Sequence, residues 1–96
     1  MNNSKPDILL VLNINLTVSK SFFDSIRQQV TEIIPVLDRY AEYTLEDLCG
    51  YKFWNAMDFG RRRKAGRCMA HMVQHGLLPF GFAGKPCGSP KKYRLM

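Results

Sequence analysis

The side chains in this sequence that could do chemistry are concentrated in one run of basic and amide residues. Five cations fall within the seven positions from Arg61 to Arg67, and His71 and Gln74 follow at spacings of four and three. Arginine and lysine neutralise phosphates, arginine can also bind both acceptors of a guanine edge, and glutamine can bind adenine. The run therefore predicts a surface for a polyanion, and nucleic acid in particular.

The charge distribution supports the same expectation. The 96 residues contain 14 Lys and Arg against 8 Asp and Glu, a formal net charge of +6. Residues 59–96 hold nine of the cations and no acid, whereas residues 1–58 have a net charge of −3. This asymmetry favours a C-terminal half that faces a polyanion. The alternative is a solvated basic face without a ligand.

Length and composition predict one small folded domain over residues 1–96, with a frayed start at residues 1–6. The chain is 46% hydrophobic and 23% charged, a balance typical of globular proteins. The apolar run over residues 8–18 is too short and too often interrupted by polar residues to cross a bilayer. No signal-peptide pattern is recognisable, so we expect a cytoplasmic protein that does not contact membranes.

The remaining reactive residues form no familiar catalytic or metal-binding motif. Cys68 and His71 are three positions apart, but Cys49 and Cys87 lack the close neighbours of structural zinc ligands. Every carboxylate precedes residue 59 and none is near a histidine, so no acid–base pair is indicated. We therefore expect reduced thiols, no metal, no cofactor and no enzyme activity.

Hydrophobic periodicity predicts the elements that precede the basic run. Apolar residues at every second position over residues 8–18 predict one β-strand, which could pair with the same strand of another chain. Over residues 19–37 the spacing is that of an amphipathic helix. Ser19 or Ser21 would cap this helix, and Pro35 would kink or break it.

The C-terminal half predicts helices followed by a hairpin. Thr44–Gly50 has the sequence of a short capped helix, and residues 51–57 predict a second helical piece or an irregular turn. A longer helix over residues 61–75, opened by Asp58 or Gly60, ends at Gly76. Residues 77–82 and 91–96 predict two strands. The long helix would bury Ala65, Cys68, Met69, Met72 and Val73 and would expose Arg63, Lys64, Arg67, Ala70, His71 and Gln74.

This order of a short helix, a turn, a basic helix and a two-stranded hairpin resembles a winged helix-turn-helix domain over residues 40–96. The expected fold class is α+β, with a winged-helix-like core and a C-terminal β-hairpin wing, preceded by an N-terminal strand and an amphipathic helix. One departure is the segment Gly50–Gly60, which is longer than the usual turn of three or four residues.

The resemblance implies that the helix over residues 61–75 lies in the major groove of duplex DNA and that the hairpin contacts the flanking backbone. Arg67 and Gln74 then suit base contacts, whereas Arg61, Arg62 and Lys64 suit phosphates. The complete set of expected nucleic-acid-binding residues is Arg61, Arg62, Arg63, Lys64, Arg67, His71, Gln74, Lys85, Lys91, Lys92 and Arg94.

Several alternatives remain open at this level. Residues 7–40 would either join two chains in a homodimer or cover the back of the core. A DNA-binding transcriptional regulator is the leading hypothesis. An RNA-binding or ribosome-associated protein is the second, if Phe80, Phe82 and Tyr93 point outward to stack on bases. The third is a protein-interaction module, a small inhibitor or adaptor that docks on an acidic protein.

Overall fold

The structure is a computed structural model that describes residues 9–13, 16–84 and 91–96. Within these ranges the chain has the predicted mixed α+β character, with four α-helices and two antiparallel β-hairpins. No helix in the described ranges is long and apolar enough to span a membrane. The elements are β1 (Leu9–Asn13), β2 (Leu16–Ser19), α1 (Lys20–Ile33), a short 3-10 helix (Ile34–Val36), α2 (Leu45–Cys49), α3 (Tyr51–Asn55), α4 (Phe59–Gln74), β3 (Phe80–Ala83) and β4 (Lys92–Leu95).

The N-terminal segment forms a hairpin, so the prediction of a single strand over residues 8–18 was wrong. β1 pairs antiparallel with β2 of the same chain, with Leu10 opposite Val18 and Val11 opposite Thr17. The chain reverses between Asn13 and Leu16. Opposite residues such as Leu10 and Val18 lie on the same face of the sheet and are an even number of positions apart in the sequence, which the register shift between Val11 and Asn13 allows. The alternation of apolar and polar positions therefore stays in phase across both strands, so the pattern of this hairpin resembles that of one long strand.

The amphipathic helix α1 begins and ends where its sequence predicts. The backbone N–H of Phe22 donates to Ser19 Oγ at 3.2 Å, which confirms Ser19 as the N-cap. The helix ends at Ile33, and Pro35 lies in the 3-10 helix that follows. Phe23 and Ile26 are buried in the core. The apolar face of α1 therefore packs within its own chain, and the homodimer stays a prediction.

Two short helices precede α4. In the predicted capping box, Asp47 N–H donates to Thr44 Oγ1 at 3.2 Å and Thr44 N–H donates to Asp47 Oδ2 at 2.9 Å. Gly50 follows with a φ of 85°, which separates α2 from α3. Because α3 fills most of the segment that looked too long for a helix-turn-helix, only Ala56–Asp58 connect α3 to α4.

α4 lies at the centre of the core. Helix α1, the first hairpin and β3 all pack against it. Its buried residues are the five that the sequence predicts to face inward, Ala65, Cys68, Met69, Met72 and Val73. Burial of each larger apolar side chain contributes about 1.5–3 kcal/mol, so this face fixes the orientation of the helix.

The C-terminal hairpin pairs β3 with β4, as predicted, with Phe82 opposite Tyr93. β3 starts at Phe80, later than the predicted start at residue 77, since Pro79 has no N–H to donate to a strand ladder. On its other side β4 meets Tyr43, whose N–H and C=O each form a 2.8 Å hydrogen bond with the backbone of Tyr93. Tyr43, in the segment before α2, thus pairs with the other edge of β4 and extends the two-stranded sheet by a single residue.

Candidate nucleic-acid interface

The basic helix α4 is held by contacts at its start. Asp58 is the N-cap, and its Oδ1 accepts a 2.8 Å hydrogen bond from Arg61 N–H. In the turn before it, Met57 is buried and its N–H donates to the carbonyl of Trp54 at 3.2 Å. These contacts and the buried face together fix which side chains of α4 point outward.

The outward side of α4 carries the predicted cations and the glutamine. Arg63, Arg67 and Gln74 are exposed along it, and Arg61 and Lys64 are exposed on the flank towards the first hairpin. Among the described residues, none of these four cations forms an ion pair. The positive charge of this side is therefore not neutralised within the described part of the chain.

Arg62 has a different environment from its neighbours. Its Nε donates to the carbonyl of Trp54 and one terminal nitrogen donates to Asn55 Oδ1, both at 3.2 Å. The guanidinium carbon also lies 5.3 Å from the centre of the Trp54 ring. The sequence suggests that Arg62 contacts a phosphate. In the structure its side chain instead connects α4 to the end of α3.

His71 lies at the edge of the outward side and is partly buried. Its ring packs edge-on against Phe23 at 6.0 Å and stacks on His75 at 4.2 Å. Burial lowers the pKa of His71 from its usual 6.5, and repulsion from His75 lowers it further, while a hydrogen bond to the Leu12 backbone acts in the opposite direction. His71 is thus less protonated at neutral pH than an unperturbed histidine and contributes less positive charge to the surface.

Phe59 is a surface residue that the sequence did not suggest. It is the first residue of α4, and 74% of it is exposed. The Arg63 guanidinium lies 5.9 Å from the centre of its ring. Phenylalanine side chains are usually expected in the core. Because Phe59 directly follows the N-cap Asp58, its sequence position already indicated that it comes before the first buried residue of α4.

The hairpin supplies fewer free cations than the sequence predicts. Lys91 and Lys92 are exposed, and Lys91 Nζ lies 6.0 Å from the centre of the Phe82 ring. Arg94 instead pairs with Glu42 at 2.9 Å and so joins β4 to the segment before α2. Lys85 lies outside the described residues.

The hairpin aromatics divide between the core and the surface. Phe80 and Tyr93 are buried, and burial raises the pKa of Tyr93 to about 12. Phe82 is 41% exposed. Of the three aromatics that would stack on unpaired bases, only Phe82 has a face available to a ligand.

The cysteines of the described residues belong to the core. Cys49 and Cys68 are both buried free thiols. Burial raises the pKa of Cys49 to about 12 and that of Cys68 to about 11. The described residues contain no group of three or more potential metal ligands, and Cys87 lies outside them.

Comparisons with known proteins transfer no function to this surface. Neither the protein-family models, nor the curated proteins, nor the solved structures contain a match to this chain. What the surface can do therefore follows from its own residues. Guanidinium, ammonium and amide groups on one exposed helix side can bind phosphates and donate hydrogen bonds to base edges.

Proposed function

We propose that this chain binds duplex DNA through α4 and acts as a transcriptional regulator with a winged helix-turn-helix fold. The observation that carries the proposal is the outward side of α4. There Arg63, Arg67 and Gln74 are exposed on a helix whose opposite side is buried, and the arginines have no acidic partner among the described residues. A helix of this kind fits the major groove of B-DNA.

The order of the elements supports the proposed fold. The three-residue connection Ala56–Asp58 has the length expected between the two helices of a helix-turn-helix. The β3–β4 hairpin follows α4 and would act as the wing. Tyr43 extends this hairpin to a third strand position, so the sheet is tied to the chain on the N-terminal side of α2.

Several of the exposed residues have distinct proposed roles. Arg67 and Gln74 contact guanine and adenine edges, while Arg61 and Lys64 bind phosphates. Phe59 at the start of α4 offers an apolar contact for a thymine methyl group. The hairpin residues Lys91 and Lys92 bind backbone phosphates, whereas Arg62 and Arg94 act as positioning residues through Trp54 and Glu42.

A titration of fluorescent random-sequence duplex, single-stranded DNA and RNA at two salt concentrations tests the proposal. We expect duplex binding that weakens with salt, because each phosphate contact releases condensed counterions and makes the slope of log K against log salt more negative by about 0.9. The triple variant Arg63→Ala, Lys64→Ala, Arg67→Ala should lose most of this binding. Alanine favours helix, so the variant should keep its fold.

The matched control removes three exposed cations elsewhere, Lys20→Ala, Arg27→Ala and Arg39→Ala. It has the same net charge as the α4 variant and should bind duplex more tightly than that variant does. Equal losses in both variants would mean that net charge alone drives binding. Preference for single strands would favour RNA, and no binding to any nucleic acid at low salt would favour an acidic protein partner.

Base reading is tested separately from backbone binding on a duplex selected for tight binding. Arg67→Ala should reduce the preference for that duplex over random DNA, since a bidentate arginine contact contributes about 1–3 kcal/mol of discrimination. Lys92→Ala should weaken both duplexes by similar factors. Equal loss on both duplexes for Arg67→Ala would contradict its role in reading bases.

A further inference from the structure

A cleft of about 610 Å³ lies between the first hairpin, the start of α1 and the first turns of α4. Leu9, Val18 and Phe22 form its apolar wall. Arg61 and Lys64 line it from α4. Cavities that hold small molecules usually measure about 300–1,000 Å³, and the volume of this cleft lies in that range. Its lining is mixed, because residues with hydroxyl groups and the two cations surround the apolar wall.

The hydroxyl groups of the cleft are used in part by the protein itself. Ser19 Oγ accepts the capping hydrogen bond from Phe22 N–H, and Ser25 Oγ donates to the Phe22 carbonyl at 2.7 Å. Both oxygens are thereby fixed in position at the start of α1. These hydroxyl groups lie beside the apolar wall and are uncharged, so they do not determine which charge a ligand must carry.

The charge of the cleft is decided by α4. None of the described residues that line it carries a carboxylate, and neither Arg61 nor Lys64 has an ion pair among them. The two residues are three positions apart on a helix, so their side chains start from the same side. An anion placed between them would gain two charge-assisted contacts without displacing an acidic partner from the described part of the chain.

We propose that this cleft binds a small amphipathic anion, with a phosphate or carboxylate group between Arg61 and Lys64 and an aromatic or aliphatic group against Val18 and Phe22. The ligand is a metabolite-sized molecule. This proposal shares Arg61 and Lys64 with the DNA proposal, but its apolar wall belongs to the first hairpin and α1, which the DNA proposal does not use. Binding that needs the naphthyl group of a probe therefore tests the cleft separately from DNA binding.

The test uses 1-naphthyl phosphate as the probe and amide chemical shifts of the full-length chain as the readout. We expect saturable shifts centred on Thr17, Ser19 and Phe22. The double variant Arg61→Gln, Lys64→Gln should weaken binding at least tenfold. The control Arg67→Gln, Gln74→Ala changes the outward side of the same helix and should leave the affinity within twofold of the original.

Further probes separate the two halves of the ligand. Inorganic phosphate should bind at least tenfold more weakly than 1-naphthyl phosphate, because it cannot use the apolar wall, and 1-naphthol should bind weakly for lack of charge. 1-Naphthoate distinguishes a carboxylate source from a phosphate source. Equal affinity for phosphate with and without the naphthyl group would overturn the proposal. So would shifts centred on Arg63 and Arg67, or the same loss in both double variants.

Discussion

At the scale of single residues, cations that look alike in the sequence have different partners in the structure. Arg62 and Arg63 are neighbours, yet Arg62 donates to Trp54 and Asn55 while Arg63 is exposed beside Phe59. Arg94 likewise pairs with Glu42, which is 52 positions away. Local sequence patterns do not indicate partners that are distant along the chain. The sequence therefore predicted where the cations cluster, but not which of them lack a protein partner among the described residues.

The pair Arg62 and Arg63 gives the first prediction. Arg62→Ala should lower the free energy of unfolding by about 1 kcal/mol, because two hydrogen bonds and a ring contact that join α3 to α4 are lost. Arg63→Ala should change it by less than about 0.5 kcal/mol, a value typical of surface substitutions, and should instead weaken duplex binding. Urea denaturation measures both stabilities, and equal values would contradict the positioning role of Arg62.

The second prediction concerns the protonation of His71. Its pKa should lie below 6.5, because burial disfavours the charged form and His75 repels it. The unfolded chain then binds the proton more readily than the folded chain, so this residue's contribution to stability falls as pH drops below 6.5 through the folded pKa.

An NMR titration of the His71 ring measures this pKa directly. His75→Ala should raise the pKa of His71 towards its ordinary value, since one of the two causes of the shift is removed. His75→Gln serves as a second neutral replacement and should act in the same direction. A His71 pKa at or above 6.5 in the unmodified chain would contradict the arrangement of the two rings.

At the scale of elements, sequence reasoning succeeded where a capping residue or a helical period marks the element. Ser19, Thr44 and Asp58 each cap the helix that follows, and the buried side of α4 was predicted residue by residue. It failed for the first hairpin, whose reversal leaves a period of two unchanged. It also missed the β-bridge between Tyr43 and Tyr93, because a bridge of a single residue leaves no repeating pattern in the sequence.

Two glycines, one inside α4 and one just after it, give the third prediction. Gly66 lies inside the helix with open space where a Cβ would stand, whereas Gly76 follows the helix with a φ of 68°. Gly66→Ala should raise the free energy of unfolding by about 0.5–1 kcal/mol, because alanine loses less backbone freedom on folding. Gly76→Ala should lower it by about 1 kcal/mol, because a Cβ is strained at that φ.

Thermal or urea unfolding measures both glycine variants. Destabilisation by Gly66→Ala would mean that the space beside this residue is needed by a neighbouring group. If Gly66→Ala is more stable and yet binds duplex more weakly, the missing side chain serves a close approach of DNA to α4. That combination would connect the helix geometry to the proposed function.

At the scale of the whole molecule, one core joins the N-terminal and C-terminal halves. α4 is in contact with α1, with the first hairpin and with β3, so none of these can leave without exposing its buried side. The sequence indicated a single domain from its length and composition. It could not indicate that the basic helix is also the central core element, because that depends on which elements pack against α4.

The fourth prediction follows from this shared core. Unfolding in urea, followed by helix circular dichroism and by fluorescence of the single Trp54, should give coincident transitions. A fluorescence change at lower urea would show that α3 separates from the rest first. The same experiment at several protein concentrations tests the expected homodimer, since the midpoint rises with concentration only if chains associate.

The separation of charge between the two halves of the chain has a consequence for the kinetics of encounter. The exposed cations of α4, which form no ion pair among the described residues, should attract an approaching polyanion towards that side of the molecule. Association with DNA should then be fast at low ionic strength and slow steeply as salt is added. Dissociation of a sequence-specific complex should respond less, because short contacts to base edges are screened less than long-range attraction.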